Sequence, residues 1–216
     1  MPITVICGHY GCGKTNLALN LALEAAGSGP VTLVDLDIVN PYFRSSDYGE
    51  LLKNKGVRLI APVFAGTTLD TPTLPPEIQS IFAPGAGRVI IDSGGDDAGA
   101  TALGGLSHGL KRSGYELIYV INRYRALSQS PQECAELLRE IEGAARLRAT
   151  GIVNNSHLGV ETELWHVLEA LDFARAAAEL TGLPLLYSTV PDFALDGREP
   201  PEDFKAVGRL VKFAWE

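Results

Sequence analysis

Thiols, excess basic charge and long apolar runs are what this chain has least of. Its three cysteines, Cys7, Cys12 and Cys134, are odd in number and form no C-x-x-C pair, which argues against a disulfide framework or a zinc site. Lys and Arg number 18 against 26 Asp and Glu, a formal charge of −8. The clustered positive charge that sequence-independent nucleic-acid binding needs is therefore missing. No run of about 18 apolar residues occurs, and no charged segment leads into an apolar signal region, so neither a membrane span nor export is expected. The expected location is cytoplasmic. His9, His108, His157 and His166 are too scattered to read as a metal set. With no low-complexity tract, internal repeat or dividing linker, and with 46% hydrophobic residues over 216 positions, the chain reads as one domain spanning 1–216.

What the chain does have is the string Gly8-His9-Tyr10-Gly11-Cys12-Gly13-Lys14-Thr15, which fits G-x-x-x-x-G-K-[ST], the phosphate-binding P-loop. A P-loop needs a strand that ends, a backbone that wraps a polyphosphate with its N–H groups inward, and a helix whose positive dipole end faces the anion. Pro2 to Cys7 reads as a short buried strand, the glycines permit the turn, and Thr15 to Ala26 is an Ala- and Leu-rich helix. Lys14 is expected to neutralise the β- and γ-phosphates and the Thr15 hydroxyl to ligate Mg²⁺. Residues 8–15, with Asn16 beside them, form the expected nucleotide-binding segment. Cys12 lies inside that loop, where oxidation or alkylation would block the nucleotide.

Apolar runs alternate with helical stretches along the chain, the pattern of βα units closing on a mainly parallel sheet. Seven strands are predicted: Ile3 to Cys7, Val31 to Leu36, Val57 to Pro62, Arg88 to Asp92, Leu117 to Asn122, Ala149 to Asn154 and Leu185 to Val190. Most are apolar throughout, as expected when helices cover both faces. Helices are predicted near 47–55, 75–82, 98–113, 131–145, 162–181 and 202–215, beyond the one after the P-loop. Ser130 and Pro131 supply a cap and a first-turn proline, and Thr162 is read as capping the long helix after it. Residues 62–76 read as a surface loop. The last helix carries apolar residues with Lys205, Arg209 and Lys212 interleaved, and is read as covering the sheet in preference to touching a membrane.

In such sheets ligands sit outside the carboxyl ends of the strands. Asp35 and Asp37 follow the second strand on one side of it, and Asp37, nearer the tip, is placed to reach the metal's water shell or an attacking water. Asp92 ends the fourth strand ahead of Ser93-Gly94-Gly95-Asp96-Asp97. A carboxylate at that tip holds Mg²⁺ and a glycine loop senses the γ-phosphate. Lys14, Asp37 and Asp92 are the expected catalytic set, and Thr15, Asp37 and Asp92 the expected metal set. Arg44 reads equally as a phosphate contact or a loop cap.

These motifs resemble the MinD/ParA/Mrp group of P-loop ATPases, of the SIMIBI class that also holds dethiobiotin synthetase and nickel-insertion ATPases. The resemblance covers nearly the whole chain, through the phosphate loop, the D-x-D of 35–37, the D-x-x-G of 92–95 and the late Gly151-Ile152-Val153-Asn154-Asn155. It implies a seven-stranded sheet with helices on both sides, an adenine edge read by Asn154, and a ring covered by the segment of Pro191 and Asp192. It implies ATP and Mg²⁺ as cofactors and a slow ATPase that switches the loops at 37–47 and 93–104 for an unidentified protein partner. A homodimer is the further assembly it suggests. Relatives of the MinD and ParA type carry a lysine after the first glycine that crosses to a partner's nucleotide; here that position is His9 and the next is Tyr10, so the lysine-exchanged dimer does not carry over. Adenine over guanine rests on the resemblance, with the guanine-reading N-K-x-D missing after Asn154. Two other readings stay open. One is a phosphoryl-transfer or ligase-type enzyme like dethiobiotin synthetase, with Asn40, Tyr42, Arg44 and Asp96 lining an acceptor pocket. The other is a metallochaperone or cluster-carrier ATPase, weakened by the lack of paired cysteines.

Overall fold

The computed structural model describes residues 3–37, 44–62, 75–95 and 97–211. Its centre is an open parallel sheet of eight strands: β1 (Ile3–Gly8), β2 (Val31–Leu36), β3 (Val57–Ile60), β4 (Arg88–Ser93), β5 (Tyr115–Ile121), β6 (Gly151–Asn154), β7 (Leu185–Pro191) and β8 (Phe204–Val207). They lie in the order β3-β2-β4-β1-β5-β6-β7-β8. From β1 the chain winds outward to one side, then returns past β1 to build the other, which puts β1 at the topological switch point where ligands bind.

The apolar strands are apolar because both of their faces are buried. Val5 and Cys7, Val34 and Leu36, and Leu117, Tyr119 and Ile121 face one cluster, which also holds Leu103 and Leu106 of α3 (Asp97–Ser113), Leu138 of α4 (Pro131–Ala145) and Phe173 of α6 (Leu171–Thr181). Ile6, Leu33, Ile90, Ile118 and Val120 face the other, with Leu17, Leu19 and Ala22 of α1 (Lys14–Ala26) and Leu52 of α2 (Gly49–Asn54). Each buried Val, Leu, Ile or Phe among them contributes about 1.5–3 kcal/mol by leaving water, so two layers of helices hold the central strands rigid beneath the site.

Four sequence expectations are corrected. The strands number eight, because residues predicted as the last helix contain β8, which pairs with β7 from Ser188↔Phe204 to Pro191↔Val207. Leu210 and Val211 still pack on the core as expected of an apolar covering segment, and positions 212–216 lie outside the described residues. The predicted helix at 162–181 is two, α5 (Leu164–Glu169) and α6, meeting at Ala170. Arg123 and Tyr124 from the loop after β5 reach into this region, donating to the Glu169 and His166 carbonyls at 3.1 and 2.8 Å, and such insertion into a carbonyl ladder bends helices. Thr162 caps no helix: its hydroxyl accepts from Leu158 N and donates to Gly159 O within the preceding 3-10 turn. The segment 76–82 is likewise a 3-10 helix. Ser130 caps α4 as expected, in a reciprocal pair with Glu133 and with Pro131 in the first turn. Among the described residues no helix is long and apolar enough to cross a membrane.

Candidate functional site

A cleft of about 280 Å³ opens over the carboxyl ends of the strands, running from the P-loop to the segment after β8. At its deep end Gly13 precedes α1 at φ 90°, and a Cβ there would lie 2.2 Å from the Asn155 amide nitrogen, so only glycine fits. The N terminus of α1 has no side-chain cap and no acid in its first turn. Its N–H groups and dipole thus remain available for an anion. Lys14 is buried, and its ammonium donates to the His9 carbonyl at 3.0 Å. Gly95, in the turn after β4, packs against this loop so closely that a Cβ on it would meet Lys14 Nζ at 2.6 Å and Tyr10 N at 2.7 Å. The phosphate loop and the loop after β4 are therefore in direct contact.

Parallel register sets Asp35 of β2 beside Asp92 of β4. Burial pushes the Asp92 carboxyl up to about 7, and repulsion from Asp35 adds to this against the lowering pull of Ser45, Lys14 and Thr15. Ser45 Oγ donates to Asp92 Oδ2 at 2.6 Å, while Oδ1 is buried without a hydrogen-bond partner. Asp35, also raised by burial, accepts from Asp37 N at 3.0 Å and Ser46 N at 2.9 Å. It therefore shapes the loop that carries Asp37, which lines the cleft. An orphaned buried carboxylate oxygen beside Lys14 and the Thr15 hydroxyl is the donor set a divalent cation completes. The residues present fit Mg²⁺.

Other predicted residues fall as follows. Tyr10, Gly11, Gly13, Lys14, Thr15, Asn16 and Pro191 line the cleft. Gly8 closes β1 ahead of the loop, and His9 points its Nδ1 toward the Tyr10 carbonyl at 3.0 Å. Cys12 is fully buried and its thiol is pushed up by desolvation, so it is held neutral. None of the three thiols reaches the surface. Asp97 opens α3, and Arg44 is buried with its N–H donating to Asp47 at 3.0 Å. Asn40, Tyr42 and Asp96 lie outside the described residues.

Asn154 and Asp192, named through the resemblance, do not line the cleft. Asn154 is fully buried, donating to Ser188 Oγ at 3.1 Å and accepting from Ser156 Oγ at 2.6 Å, away from the cleft. Asn155 faces it instead, tying Nδ2 to the Cys12 carbonyl at 2.7 Å. Asp192 is exposed beside Gly208 and does not line the cleft. Asn16 lines it, yet its amide is engaged by the tail: Nδ2 donates to Gly208 O at 3.0 Å, and Oδ1 accepts from Leu210 N and Val211 N at 2.9 and 3.1 Å.

The sequence reading missed Asn122, Arg125, His157, Phe193 and, in the tail, Val207, Gly208, Arg209 and Val211, all of which line the cleft. Asn122 and Arg125 follow β5 and were reachable by the rule that ligand residues follow strands. The tail carried no such signal. His157 is pushed down to about 4 by burial, with Nε2 at 3.1 Å from the Thr189 carbonyl.

No protein-family model matches the sequence, and no curated protein matches it. Solved structures do. The cell division protein FtsY of Thermotoga maritima is similar at 19% identity with a TM-score of 0.60, over 88% of this chain and 62% of that one. The signal recognition particle 54 kDa protein of Aeropyrum pernix K1, solved in complex with GDP, is similar at 20% identity and a TM-score of 0.58, over 87% and 41%. FtsY of Mycoplasma mycoides is similar at 18% identity and a TM-score of 0.57, over 88% and 60%. The chain thus spans less than two thirds of these neighbours. The likeness is one of fold: this is the P-loop NTPase architecture.

Proposed function

We propose that this chain is a single nucleotide-binding domain, cytoplasmic and of the MinD/ParA/Mrp type, which binds ATP with Mg²⁺, hydrolyses it slowly and signals its nucleotide state through two loops. The observation that carries the reading is the buried, unpartnered Asp92 Oδ1 beside Lys14 and Thr15 at the uncapped N terminus of α1.

In this reading the N–H groups of residues 11–15 and the Lys14 ammonium hold the β- and γ-phosphates and stabilise charge that develops there. Thr15 and Asp92 hold Mg²⁺, which when bound offsets negative charge on the same phosphates. Asp37 orients the attacking water. A phosphate that takes the Lys14 ammonium removes it from the His9 carbonyl. That frees the contact between the P-loop and Gly95, and so couples the ligand to the loop after β4. Adenine is supported by the amide and imidazole groups of the lining, Asn122, Asn155 and His157, and by its having Asp37 as the one carboxylate among the described lining residues. Guanine N1–H and N2–H are best met by a carboxylate acceptor. A protein partner that reads the two loops is the consumer of the signal.

Calorimetry with ATP and GTP, with and without Mg²⁺, tests this. The wild type is expected to bind Mg-ATP in preference to Mg-GTP, and Lys14→Ala to weaken ATP by at least about 100-fold. Wild-type affinity in that variant would overturn the site, and tighter GTP binding would overturn the base assignment.

A further inference from the structure

The loop after β5 is tightly fixed, yet it leaves one cation unassigned. Tyr124 N donates to Asn122 Oδ1 at 3.0 Å, Arg125 N to the Asn122 carbonyl at 3.2 Å, and Ser128 Oγ to the Asn122 carbonyl at 2.8 Å. Leu127 is held at φ 63°, a left-handed conformation that an ordinary side chain adopts only when its surroundings impose it. Arg123 is fully employed: NH1 donates to the Glu169 carbonyl at 3.1 Å and lies 3.8 Å from the Glu169 carboxylate.

Two residues on, Arg125 has no ion pair or side-chain hydrogen bond to any described residue. Its side chain nonetheless lies on the phosphate loop. A Cβ built on Gly11 would be 3.7 Å from both its Cδ and its Nε, and Arg125 lines the cleft together with Gly11, Gly13 and Lys14. Lys14 is buried beneath the loop, whereas Arg125 is exposed on its outer side. A polyphosphate wrapped by the loop would meet an ammonium from within and a guanidinium from without. The guanidinium fork matches phosphate oxygens in two parallel hydrogen bonds, and here it would give up no partner among the described residues to make them.

We propose that Arg125 is a phosphate-binding residue, closing over the polyphosphate chain of the nucleotide from the solvent side of the P-loop within the same chain. This rests on the nucleotide-binding reading above and adds a contact that the P-loop motif does not contain. Because the loop backbone is fixed by Asn122 and Ser128, the contact is pre-organised and only the side chain needs to settle.

The test titrates ATP and inorganic tripolyphosphate, both with Mg²⁺, into the full chain as wild type, Arg125→Ala, Arg125→Lys and Lys14→Ala. Arg125→Ala is expected to weaken ATP and tripolyphosphate by the same factor, about 10- to 100-fold, with its urea midpoint unchanged because the side chain is exposed and unpaired. Arg125→Lys keeps the charge, loses the fork and should recover part of the loss. ATP and tripolyphosphate affinities within about twofold of wild type in Arg125→Ala, with Lys14→Ala abolishing both, would overturn the role of Arg125 and leave the site standing. A loss for ATP without one for tripolyphosphate would also overturn it, by placing Arg125 on the base or ribose. If Lys14→Ala binds ATP as wild type does, the nucleotide reading itself falls.

Discussion

Below the glycine loop Asp92 has a buried oxygen with no partner, a second buried acid faces it from the next strand, and Lys14 is parked on a carbonyl. Along the flank of the cleft every polar group noted is matched: Asn155 is held by Cys12 and Thr189, His157 sits on the Thr189 carbonyl, and Asn16 and Asn20 grip both the N–H and the carbonyl of the tail around Gly208. One region is a set of buried charges with an unmatched oxygen, and the other is a finished wall. The difference teaches where to look for ligand-driven change: buried groups that lack partners are costly, and whatever supplies the partner shifts the equilibrium.

The largest break in this comparison should come from Asp92→Asn. The folded carboxyl holds its proton up to about 7, against 3.8 for an ordinary aspartate, so it favours the fold fully below about pH 4 and loses that contribution as pH rises through 7. In metal-free buffer at pH 8 the variant is therefore expected to be more stable than wild type, by roughly 2–4 kcal/mol, with the gain vanishing near pH 4. Urea denaturation across that range checks it; a variant equally destabilised at both ends would contradict the frustrated-charge account.

His157 carries the opposite sign. Its folded pKa is depressed to about 4 from 6.5, so the unfolded chain takes up a proton first, and stability present above pH 6.5 is lost as pH falls toward 4. His157→Gln should flatten that acid limb by about 3 kcal/mol. Since Asp92 and His157 oppose each other between about pH 4 and 6.5, the wild-type profile should be flatter there than that of either variant. A steep wild-type slope in that window would show that one of the two regions is misread.

The smallest effect sharpens the wall. Asn20 donates to the Gly208 carbonyl at 2.9 Å and accepts from its N–H at 2.8 Å, so Asn20→Ala should cost about 1–2 kcal/mol and speed hydrogen exchange at the Gly208 and Leu210 amides. Unchanged exchange at those two amides would mean the tail is held by something other than the asparagines.

Much of this was legible in the chain. The strand, glycine turn and helix of the P-loop, the helix at 131–145 with its Ser130 cap, and all seven predicted strands depend on local backbone demands or on apolar runs long enough to have one reading. Two things were not. Phe204–Val207 is four residues long, and over four residues a helical and a strand pattern of apolar side chains coincide; pairing with β7 chose the strand. The other is which of Asn154 and Asn155 lines the cleft: it is Asn155, since neighbouring residues at a strand end face opposite ways and the sequence does not say which one faces the opening.

By itself, then, the sequence determined that a phosphate loop follows a buried strand and that acids end two others, because φ requirements, helix dipoles and burial act over a few residues. Only the tertiary structure decided that Asp35 lies beside Asp92, that Asn155 meets the loop, that the tail walls the cleft and that Arg125 rests on Gly11. Those juxtapositions join residues distant in sequence, and they are fixed by sheet order and register, which arise when the two buried layers of helices close on the strands.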